Sequence, residues 1–190
     1  LVTVIGDDHP GLFYRIAGAI HLAGGNIIDA RIHTTRVGKA VDNFLVQAPL
    51  GKPFREDDQL ARLKTAIEDA LAGKIELMPQ LAKRPLSRAR AESFEVRPRV
   101  MFDNKASGRF TVIEVGARDR PALLNRLARA MFENKVMINS AHITNYGERA
   151  VDTFYVTDLI GHKIDSPERL RAIEAALLNA ASDQFAAAAA

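Results

Sequence analysis

The chain of 190 residues contains no cysteine. This absence excludes disulfides, zinc fingers and thiol catalysis. No apolar run approaches the roughly 20 residues that a membrane-spanning helix needs, and the N-terminus has no basic segment that would mark a secretory signal. We therefore expect a cytoplasmic location and no membrane partner. The sequence also lacks an initiator Met, which suggests a fragment of a longer chain.

Aromatic residues make up 6% of the sequence, and the net charge is +3. Six of the 26 Lys and Arg residues crowd one segment, namely Lys83, Arg84, Arg88, Arg90, Arg97 and Arg99. This segment is either a solvated linker or a docking surface for an acidic partner domain. Base stacking on a sheet would need paired aromatics, and the candidates are Phe44, Phe154 and Tyr155. Because Phe44 and Phe154 are expected in the core, we expect no nucleic-acid partner.

An internal duplication organises the chain. Asp8–Leu12 matches Asp119–Leu123 at an offset of 111 residues (119 − 8). Ala40–Phe44 matches Ala150–Phe154 at an offset of 110 (150 − 40), so one residue is lost in the turn between the two matches. Turn tips tolerate such a loss. A period this long indicates a duplicated domain and not a solenoid of short repeats.

Each copy has the pattern β-α-β-β-α, because β-branched and alternating runs predict strands and apolar residues at helical spacing predict helices. In the first copy the predicted elements are Leu1–Gly6, Pro10–Ala23, a strand with Ile28, Ala30 and Ile32 on its buried face, Ala40–Gln47 and Glu56–Ala72. In the second copy they are Phe110–Gly116, Pro121–Glu133, Met137–Thr144, Ala150–Thr157 and Glu168–Ala181. With one more strand each, this is the split βαβ plan of ferredoxin-like folds. We predict an α+β fold of tandem βαββαβ domains, with antiparallel sheets and helices packed on one face.

The predicted domains are residues 1–82 and 109–185, joined by a linker at 83–108 and followed by a poly-Ala end at 186–190. Within the linker, Glu95–Phe102 could form the fourth strand of the first sheet. The second copy has no equivalent segment. Either the second sheet has three strands, or a strand is shared or exchanged between the copies.

The candidate binding feature is the junction between the first strand and the first helix, Gly6–Leu12. Asp8 or His9 can cap the helix, and Gly11 leaves the backbone open to a ligand. Amide groups at a helix N-terminus suit a carboxylate, while the acidic side chains of Asp7 and Asp8 suit an ammonium group. Together these groups suit a free amino acid. The alternative is a capped helix start that binds no ligand.

Both copies resemble an ACT domain. The resemblance is carried by Asp8–Phe13, Gly24–Ile32 and Ala40–Phe44 in the first copy, and by Arg118–Leu124 and His142–Val156 in the second. The tandem, joined through Val100–Ser107, resembles the C-terminal regulatory region of the bifunctional protein-PII uridylyltransferase/uridylyl-removing enzymes. That family implies a glutamine sensor: one upstream domain attaches UMP to the PII signalling protein, an HD-type hydrolase domain removes it, and glutamine bound at the tail favours removal.

The resemblance implies ligand-binding residues in both copies, with Asn26 and Ile27 opposite the first loop. The full set is Asp7, Asp8, His9, Pro10, Gly11, Leu12, Asn26, Ile27, Arg118, Asp119, Arg120, Pro121, Ala122, Leu123, Ile138 and Asn139. Ala122 stands where the family usually has Gly, and Met137 replaces the amide of Asn26 with Asn139 nearby as a substitute. We therefore expect weaker binding at the second loop. The amide of Asn26 could instead hold its own turn.

The catalytic signatures of such an enzyme are absent from this sequence, which has neither a Gly-Ser followed by an Asp-x-Asp pair nor a His-Asp dipeptide. We expect no catalysis, cofactor or metal in this chain, and Mg²⁺ in the catalytic domains of its parent. The expected partners are glutamine, the parent's catalytic domains, PII as the parent's substrate, and a second copy through sheet pairing. The alternative is a ligand-free ACT-type interaction or dimerisation module of another metabolic regulator.

Overall fold

The computed structural model describes residues 1–48, 52–82, 96–120, 122–146 and 149–182. Over these residues the first copy comprises β1 (Val2–Asp7), α1 (Leu12–Leu22), β2 (Asn26–Arg31), β3 (Lys39–Gln47), α2 (Asp57–Leu71) and α3 (Leu77–Ala82). The remaining elements are β4 (Arg99–Asp103), β5 (Thr111–Arg118), α4 (Leu123–Glu133), β6 (Val136–Tyr146), β7 (Arg149–Asp158) and α5 (Pro167–Ala181). The elements predicted for both copies are confirmed to within about two residues at their ends, whereas α3 was not predicted.

The seven described strands form one antiparallel sheet in the order β1-β3-β2-β6-β7-β5-β4. The two copies meet where β2 pairs with β6, and there Ala30 lies opposite Ala141, its own repeat counterpart. Asp29 lies opposite His142, the counterpart of Arg31. Pairing of this kind, in which each copy presents the same segment to the other, is the geometry of an isologous dimer built into a single chain. We call the junction of the two copies the seam.

The predicted fourth strand does not close the first sheet. Of the alternatives left open by the sequence, the structure agrees with a strand that is exchanged between the copies. β4 pairs with β5 at the outer edge of the second copy, and three described strands form the sheet of the first copy. The reason is local turn chemistry between β4 and β5. The Asp103 carboxylate accepts hydrogen bonds from the backbone N–H groups of Lys105 at 2.7 Å and Ala106 at 2.9 Å. The connection at residues 104–110 therefore begins with a turn held by Asp103, and the chain returns to pair β4 with β5, the next strand.

The helices cover one face of the sheet and bury a core that runs through both copies. Phe44 and Phe154 are fully buried in that core, which confirms their predicted place and removes them as stacking platforms. Across the seam, α1 packs on α4, and the Asn125 side-chain amide donates to the backbone oxygen of Tyr14 at 2.6 Å. No helix among the described residues is long and apolar enough to cross a membrane. The domain boundaries at 82 and 109 stay predictions.

Some predicted features lie outside the described residues: Glu95, most of the basic segment (residues 83–95), the poly-Ala end and Pro121. Of the basic residues that are described, Arg99 pairs with Glu114 of β5, with Nη2 and Oε1 3.0 Å apart. The predicted alternation in β2 is also corrected. A β-bulge between Ile27 and Asp29 breaks the period of two, and Ile27 is buried while Ile28 is half-buried.

Candidate ligand-binding site

Two pockets that are related by the internal repeat lie at the seam. The first-loop pocket is lined by the loop before α1 (Asp8, His9, Gly11 and Leu12) and, across the seam, by Met137 and Ile138. The second-loop pocket is lined by the loop before α4 (Asp119, Arg120, Ala122 and Leu123) and, across the seam, by Asn26 and Ile27. Every described lining residue of the first-loop pocket has its repeat counterpart in the second-loop pocket. Each pocket is therefore built from both copies.

This arrangement differs from the sequence prediction that Asn26 and Ile27 face the first loop. The structure places both residues in the second-loop pocket. The cause is the isologous pairing of β2 with β6, which brings the end of α1 and the start of β2 next to the loop of the other copy. The repeat identifies equivalent segments, but it does not reveal that each loop is completed by its neighbour.

Neither helix start is capped by a side chain, so the expectation that Asp8 or His9 caps α1 is wrong. Gly11 occupies the N-cap position in a left-handed conformation with φ 92°. The Asp8 carboxylate instead accepts a hydrogen bond from the Thr34 hydroxyl at 2.5 Å, and it thereby holds the turn between β2 and β3. The backbone N–H groups in the first turn of α1 therefore have no side-chain acceptor. The positive end of the helix dipole lies at the same place.

Asp7 lies away from the pockets, on the exposed side of β1. Its carboxylate pairs with the Lys39 ammonium at 2.5 Å, and both side chains are largely exposed. The hydrogen bond and the charge of Lys39 lower the pKa of Asp7 below its usual value. The structure therefore gives Asp7 a surface ion pair between the neighbouring strands β1 and β3 and not a place beside a ligand.

Aromatic rings fill the first-loop pocket, whose cavity is about 30 Å³. The rings of Tyr14 and Phe132 pack with their centroids 5.3 Å apart across the seam. A Cβ atom at Gly11 would lie 2.8 Å from Tyr14 Cε1 and 3.1 Å from Phe132 Cε2. The space beside the Gly11 backbone is therefore occupied by side chains. The sequence predicts that Gly11 opens this loop to a ligand, but the structure has no free space for one beside Gly11.

The second-loop pocket is larger, with a cavity of about 150 Å³. Ala122 takes the same left-handed N-cap conformation as Gly11, with φ 61°, so the loop keeps its shape despite the Cβ. The buried Arg120 guanidinium donates to the backbone oxygen of Ala181 at 2.5 Å, which fastens the loop to the end of α5. Pockets for drug-sized ligands measure roughly 300–1,000 Å³, so this cavity suits a small molecule.

A buried carboxyl group lies in each pocket, and the sequence interpretation missed both. Asp152 is 1% exposed and lines the second-loop pocket, and its Oδ1 atom has no hydrogen-bond partner among the described residues. Burial raises the pKa of Asp152 to about 7, and the nearby Asp119 carboxylate adds to the rise. Asp42, its repeat counterpart, lines the first-loop pocket, and burial likewise raises its pKa to about 7, with the Asp8 carboxylate adding to the rise. A signal existed, because each Asp stands two residues before a core Phe on the buried face of a strand.

The other predicted residues fall outside the two pockets. Asn139 is the extra residue of a β-bulge in β6, and it lines a separate cavity on the open face of the sheet with Tyr155 and His142. It therefore does not substitute for Asn26 in the first-loop pocket. Arg118 lies at the end of β5 opposite Arg149, and Pro10 is not among the pocket residues.

The chemistry of the second-loop pocket is that of a site for a small zwitterion. An uncapped helix start offers backbone N–H groups and a positive dipole to a carboxylate. The buried Asp152 carboxyl and the Asn125 amide oxygen, which has no hydrogen-bond partner, offer acceptors to an ammonium or amide group. No group of three or more His, Asp or Glu side chains in the described part of the chain could hold a metal ion.

Comparisons with known proteins add a family context. No model of a known protein family matches the chain. The chain is 71% identical over 184 residues to the bifunctional uridylyltransferase/uridylyl-removing enzyme of Novosphingobium aromaticivorans, covering 97% of the chain and 20% of that enzyme. The chain is homologous to one segment of that enzyme.

Two further relatives have the same name. The chain is 71% identical to the enzyme from Erythrobacter litoralis, and the match covers 96% of the chain and 20% of that enzyme. It is 54% identical to the enzyme from Zymomonas mobilis, and the match covers 95% of the chain and 20% of that enzyme. The chain thus spans about a fifth of the length of the curated relatives it matches.

Proposed function

We propose that this chain is the amino-acid-sensing module of a bifunctional uridylyltransferase/uridylyl-removing enzyme, and that its ligand is glutamine. In this proposal the module consists of tandem ACT domains in the cytoplasm. Mg²⁺-dependent catalytic domains elsewhere in the parent attach UMP to the PII protein or remove it. Glutamine at the seam favours removal, and the module thereby couples nitrogen supply to the modification of PII.

The observation that carries the proposal is the second-loop pocket. Its uncapped helix start and its buried Asp152 present opposite electrostatic character to one small cavity, which is what an α-amino acid requires of a receptor. The identity of 71% with relatives that carry both activities supports the choice of enzyme. The absence of catalytic signatures from the sequence supports a regulatory and not a catalytic role for this segment.

A ligand held at the seam has a direct route to regulation. Because each pocket combines residues of both copies, a bound molecule favours the conformation in which the copies are docked against one another. A ligand shifts an equilibrium by its differential affinity for the two states. Allosteric coupling of this kind usually amounts to about 1–3 kcal/mol, which corresponds to a shift of roughly 5- to 150-fold in the equilibrium between the two states.

The test is made on the full-length protein with its PII substrate. Glutamine titrated into paired assays is expected to slow the attachment of UMP and to speed its removal over the same concentration range. Calorimetry should give a dissociation constant in that range. L-glutamate is the matched control, because it differs from glutamine in a single terminal group. Glutamine that produces neither heat nor a change in either rate at millimolar concentration would refute the proposal.

One observation favours a second candidate, an interaction module of the ACT type that binds no ligand. The strands β1 and β4 end the described sheet, and each carries an exposed apolar residue, Ile5 and Met101. An open edge strand can add a strand from a second copy. Light scattering at increasing protein concentration, with and without glutamine, distinguishes the candidates, since only the sensor responds to glutamine.

A further inference from the structure

The two seam pockets are repeat counterparts, so their lining residues can be compared position by position. The carboxyl group is retained in both, as Asp42 and Asp152, and so is the left-handed helix start. The positions of Tyr14 and Phe132 in the first-loop pocket are taken in the second-loop pocket by Asn125 and His21. Two aromatic rings on one side of the seam thus correspond to two smaller polar side chains on the other.

This exchange accounts for the difference in volume. The Tyr14 and Phe132 rings pack against one another at a tilt of 42° across the seam and occupy the space beside Gly11, which leaves about 30 Å³. A volume of that size holds about one water molecule. In the second-loop pocket the Asn125 amide instead turns toward the Tyr14 backbone oxygen, 2.6 Å away, and about 150 Å³ stays open.

The open pocket also contains the acceptors that a ligand would satisfy. Asp152 and Asn125 are each 1% exposed, and each has a side-chain oxygen without a hydrogen-bond partner among the described residues. Both carboxylate oxygens of Asp42 in the first-loop pocket also lack a partner among the described residues, so open volume and not unpaired acceptors distinguishes the two pockets. A buried polar group left unpaired costs about 1–3 kcal/mol, and only the second-loop pocket has room for a ligand that would pair with Asp152 and Asn125. Both acceptors require hydrogen-bond donors, which an ammonium group and a side-chain amide supply.

We propose that the chain binds one amino acid, in the second-loop pocket with Asp152 as the acceptor for its ammonium group, and that Tyr14 and Phe132 close the first-loop pocket. This inference rests on the proposed function and deepens it, because it assigns the site and its stoichiometry. The sequence predicts weaker ligand binding at the second loop because Ala122 replaces glycine there. This inference reverses that order, because the pocket beside Gly11 is the closed one.

The first experiment is calorimetry of L-glutamine with the full-length protein. We expect one glutamine per chain. Asp152→Asn should weaken binding at least tenfold, because a neutral amide cannot offset the ammonium charge. Asp42→Asn is the matched control, since it makes the same change at the counterpart position in the closed pocket, and it should leave the dissociation constant unchanged within twofold.

The second experiment opens the closed pocket by copying its counterpart. The double variant Tyr14→Asn with Phe132→His should raise the stoichiometry from one to two, and adding Asp42→Asn to it should remove the second site. Both rings are half-buried, so circular dichroism should show a retained fold. A stoichiometry that stays at one in this folded variant would overturn the claim that the rings close the pocket.

The outcomes separate this inference from the proposed function. Two glutamines bound to the wild type, or binding lost in Asp42→Asn and kept in Asp152→Asn, would overturn the site assignment and leave glutamine sensing standing. Binding of L-glutamate or L-asparagine in place of glutamine, at one per chain and with the same dependence on Asp152, would support the site and overturn glutamine as the ligand. No heat with any of these amino acids would overturn both.

Discussion

Replacing Asp152 with asparagine should make the chain more stable at neutral to alkaline pH. The folded-state pKa of Asp152 is raised from 3.8 to about 7 by burial. The folded chain therefore holds a proton there that the unfolded chain has released, and stability falls as the pH rises between those two values. At about 1.4 kcal/mol per pKa unit, this carboxyl costs the fold about 4 kcal/mol once it is ionised. That is a large share of the roughly 5–15 kcal/mol that stabilises most domains.

About 3 kcal/mol of this change falls between roughly pH 5 and pH 8, as the same linkage relation gives. Urea unfolding of the chain and of its Asp152→Asn variant, followed by circular dichroism across that range, measures it. The free energy of unfolding falls by about 2 kcal/mol per molar urea. The urea midpoint of the variant minus that of the wild type should therefore increase by roughly 1.5 M between about pH 5 and pH 8. Both proteins retain Asp42, so its titration cancels in the difference.

The control is Asp158→Asn, which should show the opposite sign. The Asp158 carboxylate accepts a hydrogen bond from the His162 backbone N–H at 2.8 Å, and this bond lowers the pKa of Asp158 below its usual value. Its contribution is present above the unfolded-state pKa and is lost as the pH falls, so the deficit of the variant should shrink in acid. A difference between Asp152→Asn and the wild type that stays constant across the pH range would refute the assignment of a buried, neutral-favoured carboxyl.

Three further substitutions test the seam and its loops. Asn125→Ala removes the donor to the Tyr14 oxygen and should cost about 1–3 kcal/mol in urea unfolding; an unchanged midpoint would mean that water replaces the bond without loss. Gly25→Ala places a Cβ 2.7 Å from Val46 Cγ1, and thermal unfolding should show a loss of about 1–3 kcal/mol, whereas an equal Tm would show that the β3 side chain moves aside freely. Ala122→Gly relieves a left-handed conformation at φ 61° and should stabilise the chain by about 1 kcal/mol, which a lower Tm would contradict.

Sequence reasoning succeeded where the physical cause is local. The apolar spacing of Leu12, Ile16 and Ile20 predicts one buried face of α1, and all three are buried. The repeat-matched positions of Phe44 and Phe154 predict that both lie in the core, and both have no exposed surface. Strand and helix ends follow from residues within a few positions of one another, so a single sequence contains enough information to locate them.

The pockets were harder because their geometry depends on residues far apart in the chain. Asn26 meets the loop around Ala122 only because β2 pairs with β6, and no local pattern encodes that pairing. The bulge at Asn139 turns this side chain to the other face of the sheet, which strict alternation cannot foresee. Asp152 could have been found, since an acidic residue on the apolar face of a strand contradicts the pattern around it.

The pairing of Ala30 with Ala141 has a consequence for how the response scales. When two separate subunits form a cleft between them, the cleft exists only at concentrations at which the subunits associate, so ligand affinity depends on protein abundance. Joining the partners in one polypeptide makes their association intramolecular and fixes their effective concentration. A cleft built in this way would keep the same ligand affinity in a cell with few copies of the protein as in a cell with many.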